Sequence, residues 1–457
     1  MVEVPDLSGV PVVSRILAAI AVSLSLGTTS SSTVPPGGGP ALVVTSPTDP
    51  AVRLLARGPV DPSSPEQVDE VVVDPSTPGQ AWRGVGAALT DASVDVLTAR
   101  PDLLPLLFGD GPGGIGLDWV RLPLTATDMS SQTWAWRTTT HGARPTAPAR
   151  RALTFLRSQV LPLEPDLRVV ASAWTAAPQY KSPRTWLGGS LREDAVPAYA
   201  DVLVGQARWL VRHGVPLAAM TLGNEPGHTA DYPTMAISDA ALARLASLVG
   251  PRLDDLGVEL WGLDHNWADV PRVAATGTVG LDAVALHCYE GAPADASQLS
   301  VPWLVTECTG TDDTASGTFA WDSRNLVSGA VAAGSTGLIM WNLALPPGYQ
   351  GVFGGCTTCR GLLTVPAPGA GDVVREPEFF TLAHLRRAAP PGASVVPTST
   401  TGPLLTAGFL AADQVGVYGY NDSDVRRTVR IRTVDGSLSS VHEVGPHEMF
   451  SWVAHLS

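Results

Sequence analysis

Eight short apolar runs, rich in β-branched residues, alternate with helical stretches between residues 81 and 345, and this alternation constrains the fold most strongly. Alternating strands and helices predict a parallel sheet, and eight strands is the number that closes a (β/α)8 barrel, or TIM barrel. We therefore predict an α/β protein built on such a barrel. The runs are AWRGVGAALTD, LDWVRLPLTATD, LRVVASAWT, LAAMTLGNEP, ELWGLDHN, DAVALHCYE, PWLVTEC and GLIMWNLAL.

The segments between the runs support helical crossovers. Amphipathic stretches with helical periodicity separate the third run from the fourth (VPAYADVLVGQARWLVRHG) and the fourth from the fifth (DAALARLASLVGPRLDDLG). The connection after the sixth run, GAPADASQLS, is short and weakly helical. We expect helices after most strands and an abbreviated crossover after the sixth.

Each apolar run ends in a polar or aromatic residue. Because the active sites of (β/α)8 barrels lie at the carboxyl ends of the strands, the repetition predicts the rim of an active site. We expect Arg121 and Asp128 to make structural hydrogen bonds within that rim. The terminal residues are Asp91, Asp128, Trp174, Glu225, His265, Tyr289, Glu307 and Trp341 with Asn342.

The chain divides into four predicted parts. Residues 80–387 form the catalytic barrel, and residues 388–457, with the alternating runs VGVYGYN, RTVRIRT and SSVHEV, form an all-β sandwich side domain. A sandwich of seven or eight strands needs more residues than this tail supplies, so we expect the β-segments of residues 41–79 to complete it. Residues 1–40 hold a signal-like segment and a low-complexity linker.

The signal-like segment is the apolar run ILAAIAVSLSL, which follows Arg15 and precedes the tract TTSSSTVPPGGGP. It is too short to span a bilayer, so we predict a secreted protein with no integral membrane span. Glu3 and Asp6 depart from the usual basic start, which favours a start nearer Val12 or Val13. A disordered N-terminus is the alternative.

Charge and cysteine content exclude two classes of partner. The formal net charge is −14 and no Lys/Arg-rich run is present, so a nucleic-acid partner is not expected. Cys356 and Cys359 form a lone C-x-x-C motif without the further ligands of a structural zinc site. A local disulfide or two free thiols are the open alternatives. We predict no metal and no organic cofactor, and the oligomeric state is not indicated.

Two glutamates close strands that can face one cleft. Glu225 ends the fourth run within the sequence GNEP, and Glu307 ends the seventh. Retaining hydrolysis of a β-glycoside needs two carboxyl groups about 5 to 5.5 Å apart, one as nucleophile and the other as acid and then base. Asn224 is placed to hydrogen-bond the sugar 2-hydroxyl. Either glutamate alone could be a surface or ion-paired carboxylate, but the pair at these two strands favours catalysis.

Seven motifs, in order, resemble those of glycoside hydrolase family 30, the group that includes acid β-glucosidase (glucosylceramidase). They are GVGAALTDAS, VRLPLTATDMS, SAWTAAPQYK, LGNEP, LHCYEG, LVTEC and WNLAL, within about residues 84 to 391. The resemblance implies that Glu225 is the general acid/base and Glu307 the nucleophile. It implies a carbohydrate or glycolipid substrate.

The resemblance also implies six substrate-binding residues. Asp91 would hydrogen-bond the sugar hydroxyls, and Tyr289 would lie near the nucleophile. Core packing is the alternative for both tryptophans and for the histidine in this set. The six are Asp91, Trp174, Asn224, His287, Tyr289 and Trp341.

Two departures from the family pattern bear on structure and substrate. Family members often carry tryptophan where this chain has Cys288, and strand alternation turns both Cys288 and Cys308 away from the site. We predict that these cysteines are in contact, with a disulfide as the less favoured outcome. Gly223 stands where the glucosylceramidase branch commonly has glutamine.

The substrate is left open among β-glucosides, such as β-1,6-glucan or a glucosyl lipid. A xylan- or fucose-directed relative on the same fold, or a catalytically silent carbohydrate-binding protein, are the alternatives.

Overall fold

The computed structural model describes residues 40–61, 68–139, 142–277, 280–310, 314–412 and 414–456. Eight parallel strands close into a barrel in chain order, and each coincides with one of the eight apolar runs. The predicted (β/α)8 fold is confirmed. The barrel strands, first to eighth, are Val85–Ala88, Trp119–Pro123, Arg168–Ser172, Leu217–Thr221, Glu259–Asn266, Ala283–His287, Trp303–Glu307 and Ser335–Met340.

Helices follow most barrel strands. The two amphipathic stretches form the helices Val196–Arg212 and Asp239–Asp254, as expected. The sixth crossover contains a 3-10 helix, Pro293–Gln298, instead of an α-helix. The other α-helices are Asp91–Ala99, Leu104–Phe108, Ala147–Phe155, Val270–Thr276, Ala315–Trp321, Ala330–Ala332 and Pro377–Ala388, with π-helical segments at Leu156–Val160 and Asp322–Gly329. Further 3-10 helices are Pro101–Leu103, Pro178–Tyr180, Glu193–Ala195 and Trp267–Asp269.

Two tryptophans fill the barrel interior. Trp119 of the second strand and Trp261 of the fifth lie with their ring centroids 5.3 Å apart, and both are buried. Small residues on neighbouring strands, including Ala283 and Ala285, belong to the same interior cluster. Gly86 of the first strand is required here, because a Cβ at that position would lie 2.6 Å from the Cβ of Trp119. The interior is therefore a packed core and not a pore.

The side domain is built from two β-sheets that enclose a second apolar core. Strands from both ends of the chain contribute to each sheet: Ala41–Thr45 pairs with Met449–His455, and Val68–Val73 pairs with Arg427–Thr433. In spatial order the six-stranded sheet contains Ser394–Val396, Leu404–Leu410, Gln414–Asn421, Met449–His455, Ala41–Thr45 and Leu55–Arg57. The four-stranded sheet contains Thr398–Thr400, Val68–Val73, Arg427–Thr433 and Ser439–Val444.

The helix Pro377–Ala388 connects the barrel to the side domain. Its His384 is buried, with Nδ1 3.0 Å from Ser451 Oγ and Nε2 2.8 Å from Thr45 Oγ1. Both hydroxyls belong to strands of the six-stranded sheet. Three small sheets lie outside the closed barrel. Two are strand pairs, Arg137–Thr139 with Gly142–Arg144 and Lys181–Ser182 with Ser190–Leu191, and the third has three strands, Ala344–Leu345, Leu363–Thr364 and Val374–Arg375.

All four cysteines form disulfides. Cys288 and Cys308 are in contact as predicted, but they are bridged, so the preference for an unbridged pair was wrong. Strand alternation predicted their proximity and could not decide their oxidation. Cys356 and Cys359 form the local disulfide. None of the helices in the described ranges has the length and apolar character that a membrane crossing requires. The signal-like segment lies outside the described residues.

Candidate active site

Glu225 and Glu307 meet at the carboxyl ends of the fourth and seventh barrel strands. One oxygen of each carboxyl lies within 4.8 Å of the other, and His287 contacts the same space. Glu307 is the last residue of its strand, whereas Glu225 follows its strand by four residues and has a positive φ of 44°. Left-handed backbone in a non-glycine residue costs free energy and concentrates at functional sites.

Glu307 is held by two strong donors. Arg121 Nη1 donates to Oε2, and the hydroxyl of Tyr289 donates to Oε1 over 2.9 Å. Arg121 is wholly buried, and its guanidinium also lies over the ring of Trp174, 4.6 Å from the centroid. Burial outweighs the opposing charges of His287 and Arg121, so the pKa of Glu307 lies above its usual value. The hydrogen bonds from Arg121 and Tyr289 fix the orientation of the Glu307 carboxyl group.

Glu225 has a different environment. Its Oε1 lies 3.1 Å from His287 Nδ1, and its side chain is more exposed than that of Glu307, 14% against 8%. Burial of Glu225 is outweighed by the hydrogen bond and charge of His287, so the pKa of Glu225 lies below its usual value. Burial alone would lower the pKa of His287, but Glu307, Asp264 and Glu225 together raise it to about 9. The proton of this pair therefore resides on His287, and Glu225 is a carboxylate.

Asp264 organises the floor of the site. Its Oδ2 accepts from Arg121 Nη2 at 2.9 Å, and its Oδ1 lies 3.0 Å from His287 Nε2. Burial alone would raise the pKa of Asp264, but Arg121 and His287 hold it well below its usual range. The hydroxyls that also donate to this carboxylate are those of Ser172, Thr221 and Thr306.

Sequence reasoning missed Asp264 because strand alternation fails there. Leu263 and Asp264 both have positive φ, 62° and 56°, and the register with the sixth strand shifts between Leu263 and His265. This bulge turns Asp264 into the barrel beside His265, the residue that the sequence singled out. Bulges next to active sites commonly redirect a side chain in this way. The run LDHN contains no pattern that marks the bulge.

Arg121 and Asp128 were assigned only structural roles within the rim, and the structure places both at the carboxylate pair. Arg121 bridges Glu307, Asp264 and Asn224, with Nη2 2.7 Å from Asn224 Oδ1. Asp128 faces the cavity above the glutamates. Burial, with the negative charge of Glu307, raises the pKa of Asp128 to about 7.

A cavity of about 620 Å³ opens over the two glutamates. Trp174 and Trp341 form one wall, with ring centroids 5.1 Å apart and planes inclined by 31°. The end of the fifth strand and the loops after the fourth, fifth and sixth strands also line the cavity. Of the predicted site residues, Trp174, Asn224, Glu225, Tyr289, Glu307 and Trp341 line the cavity, and the remaining lining residues are Asp128, Gly227, His228, Tyr232, His265, Asn266, Asp269, Glu290, Thr309, Cys356 and Cys359.

Two predicted substrate-binding residues lie behind this lining. His287 is wholly buried and reaches the cavity through Glu225. Asp91 begins the helix Asp91–Ala99, and its Oδ2 accepts from Trp134 Nε1 at 2.7 Å. The carboxylate that faces the cavity from this side is Asp128. The first and the second apolar runs both end in a TD pair, Thr90–Asp91 and Thr127–Asp128, and only the tertiary structure distinguishes the two.

The distances alone could admit a metal ion. Glu225, His287 and Glu307 offer ligand atoms within 4.8 Å of one another. Arg121 already donates to Glu307, however, and both imidazole nitrogens of His287 face carboxylates. A metal cation would add positive charge beside a guanidinium that never loses its proton. The donor set therefore fits proton transfer better than metal coordination.

Comparisons with known proteins agree with this geometry. No protein-family model matches the chain. The endo-1,6-β-D-glucanase of Aspergillus fumigatus is 28% identical over 396 residues, which cover 76% of this chain and 78% of that protein. The solved structure of the endo-β1,6-glucanase BT3312 superposes with a TM-score of 0.82 at 20% identity, over 91% of this chain and all of that chain. The catalytic domain of the family 30 xylanase C from Talaromyces cellulolyticus gives 0.67 at 18% identity, over 85% of this chain and all of that chain.

The fold is that of glycoside hydrolase family 30. The seven ordered motifs agree with this fold, and the similarity to endo-1,6-β-D-glucanases indicates a β-glycoside hydrolase. Within this fold, the strands that carry the paired carboxylates are the fourth and the seventh, as the sequence indicated.

Proposed function

We propose that the protein is a retaining β-glycosidase that hydrolyses β-1,6-linked glucan, with Glu307 as nucleophile and Glu225 as acid and then base. One observation carries the mechanism: oxygens of the two carboxyls lie within 4.8 Å of each other. Retaining pairs are about 5 to 5.5 Å apart, whereas inverting pairs are about 6.5 to 9.5 Å apart to leave room for a water molecule.

In the first step, Glu307 attacks the anomeric carbon and the glycosidic C–O bond breaks. Arg121 and Tyr289 hold the attacking carboxylate in place, one donor on each oxygen. A new C–O bond joins the sugar to Glu307, and the leaving oxygen takes a proton from Glu225. Two neighbouring carboxyls can act as nucleophile and as acid when their hydrogen-bond partners differ.

The His287–Glu225 hydrogen bond can supply that proton. Two cations, Arg121 and His287, face three carboxylates in this cluster, so the proton on His287 lies beside an ionised Glu225. A proton on His287 Nδ1 needs to move only across a 3.1 Å contact to convert Glu225 into the acid. The neutral imidazole then still donates from Nε2 to Asp264.

In the second step, water attacks the glycosyl-enzyme. Because Glu307 is now an ester, its negative charge is gone, and the pKa of Glu225 falls. Glu225 then accepts a proton from the attacking water, the bond between the sugar and Glu307 breaks, and the product keeps the configuration of the substrate.

The cavity walls suit a sugar ring. Trp174 and Trp341 offer apolar ring faces, and Asp128 offers a carboxylate to the sugar hydroxyls. Asn224 accepts from Arg121 through its carbonyl oxygen, which leaves its amide hydrogens for the 2-hydroxyl. We assign hydroxyl binding to Asp128 because it lines the cavity, whereas Asp91 is bonded to Trp134.

Similarity to endo-1,6-β-D-glucanases supports the choice of linkage and an endo mode of cleavage. Gly223, in place of the glutamine common in the glucosylceramidase branch, also favours a glucan over a glucosyl lipid. The test is incubation of the purified protein with β-1,6-glucan, xylan, glucosylceramide and aryl β-D-glucosides and fucosides. We expect oligosaccharides from β-1,6-glucan and an initially β-configured product by NMR. An initially α-configured product would refute the assigned mechanism.

We also infer that the protein is exported. The two disulfides support this, because such bonds persist mainly in oxidising compartments. N-terminal sequencing of protein recovered from the culture medium tests it, with a new N-terminus within the first 40 residues as the expected result.

A further inference from the structure

The Cys288–Cys308 disulfide lies directly behind the catalytic pair. Cys288 follows His287, and Cys308 follows Glu307, and those two residues are partners in the barrel. Both cysteines are buried and belong to the apolar core outside the barrel strands. Neither lines the cavity over the glutamates. The disulfide therefore cannot touch substrate.

Backbone pairing is irregular at this point. Leu286 pairs with Val305 and His287 with Glu307, so Thr306 is an extra residue in the seventh strand. Both strands end at His287 and Glu307. A bulge at a strand end is held by few ladder hydrogen bonds. The disulfide thus links the sixth and seventh strands at the residues that directly follow His287 and Glu307.

Three contacts in the site depend on the positions of the strand ends at His287 and Glu307. His287 Nδ1 is 3.1 Å from Glu225, His287 Nε2 is 3.0 Å from Asp264, and the Tyr289 hydroxyl is 2.9 Å from Glu307. Cys288 lies between His287 and Tyr289 in the sequence. The backbone carbonyl of Cys308 accepts a 2.6 Å hydrogen bond from the backbone N–H of Trp341. A displacement of about 1 Å can cost about 100-fold in rate.

We propose that the Cys288–Cys308 disulfide is a positioning element for the proposed reaction: it fixes the bulged strand ends so that His287 stays hydrogen-bonded to Glu225 and Tyr289 stays hydrogen-bonded to Glu307. This inference rests on the proposed function. The other disulfide, Cys356–Cys359, joins two residues of one loop that lines the cavity and does not link strands.

Two double variants separate the covalent link from packing. The pair Cys288→Ala, Cys308→Ala removes both the link and the sulfur volume, whereas Cys288→Val, Cys308→Val fills the space without a link. If the link positions the site, both variants lose about 10- to 100-fold in kcat. Recovery of wild-type kcat by the valine pair would overturn the proposal, because packing would then suffice.

The readouts distinguish positioning from a general loss of stability. Each variant is assayed below its melting temperature with aryl β-glucosides of good and poor leaving groups, across pH. A weakened hydrogen bond from His287 to Glu225 would impair protonation of the leaving oxygen, so we expect a larger loss of kcat with the poor leaving group and an alkaline limb at lower pH. A loss confined to KM, with an unchanged pH profile, would contradict positioning.

Labelling and thiol counting separate this inference from the function it rests on. A 2-fluoro-2-deoxyglucosyl fluoride should label wild-type Glu307, and more slowly in both double variants. Absence of label and of activity in the wild type would refute the proposed function itself. Labelling of the variants at the wild-type rate would refute only the positioning role. Thiol titration of denatured, unreduced wild type should find no free cysteine, and four free thiols would overturn the disulfide.

Discussion

Two histidines, both wholly buried, have opposite charge preferences in two regions of this molecule. At the mouth of the barrel, three carboxylates raise the pKa of His287 to about 9. At the junction of barrel and side domain, burial and the nearby charge of Arg387 hold the pKa of His384 well below its usual value. The two ring nitrogens of His384 lie within hydrogen-bond distance of hydroxyls, those of Thr45 and Ser451. Burial alone neutralises an imidazole, and neighbouring carboxylates reverse this.

The two regions also differ in the kinds of residues that surround each histidine. The barrel mouth concentrates buried charge and positive-φ residues, including Glu225, Asp264 and Asn342. The core between the two sheets of the side domain is made of apolar side chains such as Val417, Ile431 and Trp452. Substitutions at the mouth should therefore act mainly on catalysis, and those at the junction mainly on stability.

The largest effect is expected for Glu307→Gln. Loss of the nucleophile should lower kcat on β-1,6-glucan by about 10⁴- to 10⁶-fold while the thermal transition remains. Glu378→Gln is the matched control, because Glu378 is also buried and paired with an arginine, Arg360, but lies outside the cavity. The control should lose stability and keep its kcat. Undiminished turnover by Glu307→Gln would remove Glu307 from the mechanism.

His287→Asn should have the next largest effect. We expect kcat to fall about 100-fold, since general acid catalysis typically contributes 10²- to 10⁴-fold. The alkaline limb of the rate profile should move from near pH 9 to lower pH, because Glu225 would no longer receive its proton from a group whose pKa is about 9. His384→Asn should leave this limb in place. An identical alkaline limb in His287→Asn and wild type would show that the proton is held elsewhere.

Stability should depend on pH in opposite senses at the two histidines. The raised pKa of His287 stabilises the fold below pH 6.5, and this is lost as pH rises to about 9, at a cost of roughly 3 kcal/mol. The lowered pKa of His384 stabilises the fold above pH 6.5, and this is lost as pH falls. Urea unfolding at several pH values, with each histidine replaced, measures both slopes. A His287 variant that keeps the alkaline slope would contradict the assignment.

Ser451→Ala should have the smallest effect. It removes one hydrogen bond to His384 and should lower the free energy of unfolding by about 1 kcal/mol. Neither kcat nor its pH profile should change, because Ser451 lies in the side domain. A shifted pH profile would mean that the two regions are coupled.

Much of the architecture could be predicted from the sequence because it depends on periodicity. The apolar runs identified all eight barrel strands, and two amphipathic stretches identified the helices after the third and fourth strands. Short alternating runs at both ends of the chain indicated the side domain, where Val68–Val73 pairs with Arg427–Thr433. These patterns repeat within a few neighbouring residues, because each strand or helix buries one of its faces.

The candidate site could be predicted only in part. Glu225 and Glu307 stand out because each closes an apolar run, and the structure brings them together. The location of Asp91 away from the cavity could not be predicted, since a polar residue after a strand can begin a helix or face the cleft. The oxidation of Cys288 and Cys308 was likewise not decided by their alternation along the strands.

The barrel, the side domain and the strand ends that carry the two glutamates follow from the order of residues alone, because strand and helix periodicity depends on neighbouring residues. The groups that surround those glutamates are visible only in the folded chain. A bulge turns Asp264 inward, and Arg121 reaches from the second strand to Glu307 on the seventh. Such contacts join residues that are far apart in the chain, and they depend on irregularities of the backbone. Neither property can be recognised from the periodicity of the sequence.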